Sequence, residues 1–144
     1  MSRRFLPIAA VLASFAGPAA AAGDLPLTVA QVEKVTGQSG LATKAAKYDK
    51  AGTNFVTAQG ATVVTLKVAS ASVYDVWKSQ PSMNDQVAYP GLGEDAVASK
   101  KGHYICFKKS GQGICVIGDI DLPGKPALAT DAHVAELARL AATK

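Results

Sequence analysis

Apolar residues recur along this chain in two rhythms, helical near its beginning and end and alternating between them. Val32 and Val35 stand three apart behind Thr28, which shares the T-x-x-Q spacing of a capping box with Gln31. In that box each side chain satisfies a backbone N–H that a helix start leaves unpaired. Leu27 and Val32 occupy the two positions of a hydrophobic staple, and Gly37 supplies a left-handed stop. The pattern predicts a short helix with Val32 and Val35 inward. Near the other end, Val134, Leu137, Ala138 and Ala141 follow i, i+3, i+4, i+7, one face of a helix. Thr130 is its N-cap, and Asp131 suits the positive end of the helix dipole. Glu136, Arg139 and Lys144 fall on the outer side.

Between these helices the period shortens to two. Val64, Leu66 and Val68 alternate with Val63, Thr65 and Lys67, which predicts a strand over 62–69 with one buried and one mixed face. The stretch 43–56 mixes helix-favouring Ala and Lys with strand-favouring Tyr48, Phe55 and Val56, and reads as strands 46–50 and 54–57 around Ala51-Gly52. A middle helix starts at Ser72, an N-cap with Asp75 at its third position. Val73, Val76 and Trp77 share its inward face, with Trp77 as core anchor, and Gln80-Pro81 ends it. Residues 82–90 read as a polar loop, 94–99 as a strand, and 121–126, with Pro123 and Pro126, as another loop.

The sharpest signal is a hairpin. Tyr104-Ile105-Cys106-Phe107 and Ile114-Cys115-Val116-Ile117 flank a polar turn at Ser110-Gly111. That turn sets Lys109 opposite Gln112, Phe107 opposite Ile114, and Cys106 opposite Cys115. The cysteines then form a non-hydrogen-bonded pair, the closer kind, which brings their sulfurs within bonding range. Ile105, Phe107, Ile114 and Val116 share the core face, while Tyr104, Cys106, Lys108, Cys115 and Ile117 share the other. A structural disulfide between Cys106 and Cys115 is expected. Their spacing is not C-x-x-C, and His103 alone does not complete a metal set. The order is helix, two or three strands, helix, three strands, helix. It predicts an α+β fold of two layers: a mainly antiparallel sheet with helices on one face, including an N-terminal and a C-terminal helix.

The 144 residues suffice for one domain. Residues 1–22 read as a signal peptide: Arg3 and Arg4, an apolar run over 5–16, a break at Gly17-Pro18, and Ala20-Ala21-Ala22 before Gly23. The run is too short to span a bilayer. Ser2-Arg3-Arg4-Phe5-Leu6 resembles a twin-arginine export motif without its spacer. The expected domain is therefore residues 23–144, periplasmic or secreted. No cysteine precedes Cys106, so no lipid anchor is expected. Without Arg3 and Arg4 the formal charge falls from +4 to +2, which does not mark a nucleic-acid binder. Lys100-Lys101 and Lys108-Lys109 are placed together at one end of the sheet, as solvated residues that discourage edge pairing.

Chemistry-bearing motifs are sparse. Gly91-Leu92-Gly93-Glu94-Asp95 contains a G-x-G, but two carboxylates and a strand follow where a phosphate loop needs a helix start and a cation. It reads as a tight turn into a strand. Asp119-x-Asp121 lacks the Gly and Glu of a calcium loop and reads as a solvated turn. His103 and His133 are the only imidazoles, and no G-x-S-x-G elbow exists. Neither catalytic residues, a cofactor nor a metal are expected.

Leu27-Thr28-Val29-Ala30-Gln31-Val32 with Thr36-Gly37, then Gly91-Leu92-Gly93-Glu94-Asp95-Ala96, the apolar hairpin, and Leu137-Ala138 together resemble a loose group of small exported bacterial proteins of unknown function. Some of these are cell-surface lipoproteins or extracellular sensor-type domains. The resemblance implies an extracytoplasmic α+β domain like the PsbP-like sandwich, and it carries over no catalytic residue. This chain departs from the lipoproteins in lacking an anchoring cysteine. The expected function is that of an exported, soluble, non-catalytic binding or interaction module for a protein or small ligand. A groove between helix and sheet, or the loop carrying Tyr89, Pro90, Leu92, Glu94 and Asp95, would meet that partner. The alternative is a proteinaceous inhibitor of a periplasmic or foreign hydrolase.

Overall fold

Thr28 opens the first helix as its spacing dictates. In the computed structural model, which describes residues 25–144, α1 runs over Val29–Thr36. The Thr28 hydroxyl accepts from Gln31 N at 3.2 Å, and Gln31 Oε1 accepts from Thr28 N at 2.9 Å. Gly37, at φ 72°, closes the helix with a bond to the Glu33 carbonyl. The expected signal segment, residues 1–22, lies outside the described residues.

Seven strands follow: β1 (Ala42–Ala45), β2 (Gly52–Val56), β3 (Thr62–Ser70), β4 (Gln86–Ala88), β5 (Glu94–Ser99), β6 (Tyr104–Lys109) and β7 (Gln112–Gly118). They form one sheet in the order β1-β2-β3-β7-β6-β5-β4, with every pairing antiparallel. Two meanders thus join where β3 pairs with β7. To pass from β3 to β4 the chain must cross to the far edge of the sheet. It does so through α2 (Ala71–Lys78) and a 3-10 turn at Pro81–Met83. The chain closes with α3 (Asp131–Thr143). This is the α+β antiparallel architecture the sequence predicts.

The sheet has two differently covered faces. On one, Phe55, Val64, Leu66, Ile105, Phe107, Ile114 and Val116 meet Val32 of α1 and Val134, Leu137, Ala138 and Ala141 of α3. All four α3 residues are fully buried, as their i, i+3, i+4, i+7 spacing requires. Each large side chain among them gains roughly 1.5–3 kcal/mol by burial. On the other face lie Cys106 and Cys115, joined as a disulfide, with Val97 and with Tyr74 of α2 packed over them. The expected two layers with all helices on one face are thus corrected: the terminal helices share one face, and α2, seated through Tyr74 over the disulfide and Gly113, occupies the opposite one. Two glycines of β7 make this possible. A Cβ on Gly113 would stand 2.4 Å from Tyr74 Cβ, and one on Gly118 would stand 2.9 Å from Val134 Cγ2. Five residues apart, they open opposite faces of one strand.

The predicted hairpin has the expected register: Lys109 faces Gln112, Phe107 faces Ile114, and Cys106 faces Cys115. Ser110 and Gly111 have φ of 49° and 76°, as a two-residue type I′ turn demands. Further expectations need correction. Residues 46–50 are not a strand but the turn between β1 and β2. There Asp49 accepts from Ala51 N at 3.0 Å and from Gly52 N through its carbonyl, local bonds that outweigh the strand preference of Tyr48. The middle helix starts after Ser70 rather than at Ser72, since Ser70 Oγ takes the Val73 N–H. Its buried residue is Tyr74, while Val73 and Val76 are exposed and Trp77 is half-buried at the margin. The loop 82–90 contains the short edge strand β4. Finally, Lys100-Lys101 and Lys108-Lys109 lie at opposite ends of β6 and form no common patch.

Candidate functional site

The expected loop site separates into structural parts. Gly93, at φ 54°, brings its backbone so close to β6 that a Cβ would stand 2.6 Å from the Lys108 carbonyl. This drives Leu92 into the core at 5% exposure, so Leu92 is no contact residue, contrary to the sequence expectation. Tyr89 packs half-buried against the same core. Pro90, Glu94 and Asp95 are exposed. Asp95 sits in a bulge with φ 51°; its carbonyl accepts from the Tyr74 hydroxyl and its carboxylate pairs with Lys78 at 2.5 Å. Burial, then the charges of Asp95 and Asp75, push the Tyr74 phenol above its ordinary range. Asp95 therefore anchors α2, as does the Lys108–Asp75 pair at 2.6 Å.

A different region forms a concave surface. The cross-strand pairs Lys44–Asn54, Asn54–Thr65, Thr65–Ile117 and Ile117–Tyr104 make one continuous row over the disulfide face, reaching Ser99 and Gln86 at the far edge. The adjacent row, Lys67–Cys115–Cys106–Val97, lies beneath α2. Because α2 has only eight residues, it covers that second row and leaves the first open. Thr65, Ile117 and Tyr104 thereby floor a cleft of about 520 Å³, walled by Asp85, His103, Asp119 and Ile120. Its volume is typical of small-molecule sites.

Hydrogen bonds fix the floor. Thr65 Oγ1 donates to Asn54 Oδ1 at 2.8 Å, and the Tyr104 hydroxyl donates to Asp85 Oδ1 at 3.0 Å. Burial, followed by the Asp85 hydrogen bond and charge, pushes the Tyr104 phenol up to about 12. Tyr104 is thus a neutral donor at physiological pH, and Asp85 an oriented acceptor. Gln86 Nε2 donates to the Lys78 carbonyl at 2.9 Å, and its buried Oε1 has no partner among the described residues. Asp119 Oδ1 accepts from Ile120 N at 2.9 Å, and His103 Nδ1 lies 3.2 Å from Asp131 Oδ1. His133 is taken up in the α3 cap, where its Nδ1 accepts from Thr130 N at 3.2 Å.

The arrangement is suited to holding a molecule: an apolar and aromatic floor with a few directed polar groups. Among the described residues, no hydrogen bond links His103 to a hydroxyl of the lining. Likewise, no three His, Cys, Asp or Glu side chains cluster as a metal centre would need. None of the described helices is long and apolar enough to cross a membrane. Tyr104 and Ile117 were legible as neighbours from the hairpin register. Asp85 and Asp119 were not, because long-range pairing of β4 with β5 and β3 with β7 brings them to the same cleft. Compared with protein-family models, curated proteins and solved structures, the chain matches none, so the short motifs carry no assignment of family.

Proposed function

We infer that the protein is an exported, non-catalytic binding module whose small ligand occupies the cleft over Thr65, Ile117 and Tyr104. The observation that carries this reading is the open row of the sheet. One row of the disulfide face lies beneath α2, and the next is left as a cleft of about 520 Å³ with oriented polar groups. Export is supported by the arginine pair, apolar run and alanine site of residues 1–22, and by a disulfide suited to an oxidising compartment.

A second reading, inhibition of a hydrolase, is favoured by the segment 120–126. Every residue of it is exposed, and Leu122 and Lys125 exchange both backbone bonds around Pro123-Gly124. Ile120 and Leu122 thus stand on a constrained projection, 60% and 56% exposed.

One experiment separates the two. Amide spectra of the labelled protein are recorded against a panel of neutral, cationic and anionic fragments and against a panel of hydrolases. The cleft reading expects fragment-induced shifts at Thr65, Tyr104 and Ile117, abolished by Thr65→Trp with the melting temperature retained. It fails if fragments leave these amides unmoved, or if Thr65→Trp binds them equally. Hydrolase-induced broadening confined to 120–126 would instead favour the inhibitor.

A further inference from the structure

The disulfide face repeats one device. Lys67 Nζ lies 4.7 Å from the centre of the Trp77 ring and 2.5 Å from Asp49 Oδ2. Lys108 Nζ lies 5.4 Å from the centre of the Tyr74 ring and 2.6 Å from Asp75 Oδ1. Each ammonium is held by one aromatic face and one aspartate, the pairing that quadrupole and ion-pair electrostatics favour together. The cleft contains a third aromatic–aspartate pair, Tyr104 with Asp85, joined by a hydrogen bond.

Here no lysine or arginine among the described residues is paired with the aspartate. Asp49, Asp75, Asp95 and Asp131 each meet a lysine or histidine. Among the described residues, neither Asp85 nor Asp119 has such a partner, and both line the cleft. No lysine or arginine is among the lining residues, and the one imidazole, His103, is held against Asp131. Ile117 and Ile120 supply apolar surface beside the two carboxylates. Resting on the binding-module reading, we propose that the cleft takes an amphiphilic amine, its ammonium on Asp85 beside the Tyr104 ring and its apolar body on Ile117 and Ile120. Asp119 adds long-range attraction at the rim. Anionic ligands meet two unneutralised carboxylates and are excluded.

The test uses three probes of one shape: 2-phenylethylamine, neutral 2-phenylethanol and anionic 3-phenylpropanoate. Each is titrated at pH 7 against the oxidised protein, with affinity read from cleft amide shifts. A charge-assisted hydrogen bond contributes roughly 1.5–3 kcal/mol, so the amine should bind about tenfold or more tightly than the alcohol. Asp85→Asn should remove most of that advantage and weaken the alcohol far less than the amine, since a hydroxyl can also donate to an amide oxygen whereas the ammonium loses its opposite charge. Asp119→Asn, further from the phenol, should weaken the amine less and should lose its effect in high salt. The propanoate should not bind. If the alcohol or the propanoate matches the amine, or if Asp85→Asn leaves the preference intact, the amine assignment is overturned while the cleft remains a binding site. Absence of cleft shifts with all three probes overturns the assignment and counts against the cleft itself.

Discussion

Leu92 shows how far a single residue can be misplaced by local sequence. An apolar residue between two glycines, after Tyr89 and Pro90, reads as the sticky tip of a surface loop. Its placement is decided instead by Gly93, whose missing Cβ lets the loop press against the Lys108 carbonyl and lowers Leu92 into the core. Tyr74 was missed for the same kind of reason. Helical spacing selects Val73 and Val76, but the space opened by Gly113 on the sheet selects the tyrosine between them. Both placements depend on a close approach between a glycine and a residue distant in sequence, Gly93 to Lys108 and Gly113 to Tyr74. Residues fixed by near neighbours, such as Thr28, Gly37 and Thr130, were legible. Leu92→Ala should cost roughly 2–5 kcal/mol, the range for emptying a buried leucine site. Glu94→Gln, two residues on and exposed, should stay within about 0.5 kcal/mol of the parent. Urea denaturation of both variants checks this. A near-neutral Leu92→Ala would restore Leu92 to the surface.

Elements were legible in proportion to how locally they are specified. The β6–β7 hairpin has its turn, register and cross-strand cysteines written within fourteen consecutive residues, Tyr104 to Ile117. Edge strands β1 and β4 are short and borrow their form from a single neighbour, β2 or β5, so neither has an alternation to read. The disulfide acts at this scale, closing a short loop within one hairpin. For a loop of about ten residues the chain-entropy relation gives a stabilisation of about 2.7 kcal/mol. Replacing both cysteines by alanine should lower the unfolding free energy by that order, with a further loss from the emptied contacts beneath Tyr74. A thiol assay on the unreduced parent should find no free thiol, because the described residues include both cysteines and both are bonded. A double variant as stable as the parent would show that the bond constrains nothing the hairpin does not already fix.

Across the whole molecule, the sheet divides stability unequally between its faces. The face beneath α1 and α3 holds the extended core, including Phe55, Leu66, Phe107 and Leu137 at full burial. The opposite face holds a buried apolar cluster of four residues, of which α2 contributes Tyr74 alone. Burial free energy scales with apolar area, so detaching α2 exposes far less than detaching α3. The polar ties that hold α2 include Tyr74 and Lys78 to the Asp95 bulge, Asp75 to Lys108, and Gln86 to the Lys78 carbonyl; the two ion pairs are partly exposed, where such pairs contribute little. The molecule should therefore open locally at α2 before it unfolds globally. In native-state hydrogen exchange, amides within Ala71–Lys78 should exchange through an opening with weak dependence on added denaturant. Amides of β3, β7 and α3 should exchange only through global unfolding, at the full free energy. Tyr74→Phe, which removes the bond to Asp95, should speed α2 exchange and leave the α3 amides nearly unchanged. Equal exchange free energies in α2 and α3 would instead make both faces one cooperative unit.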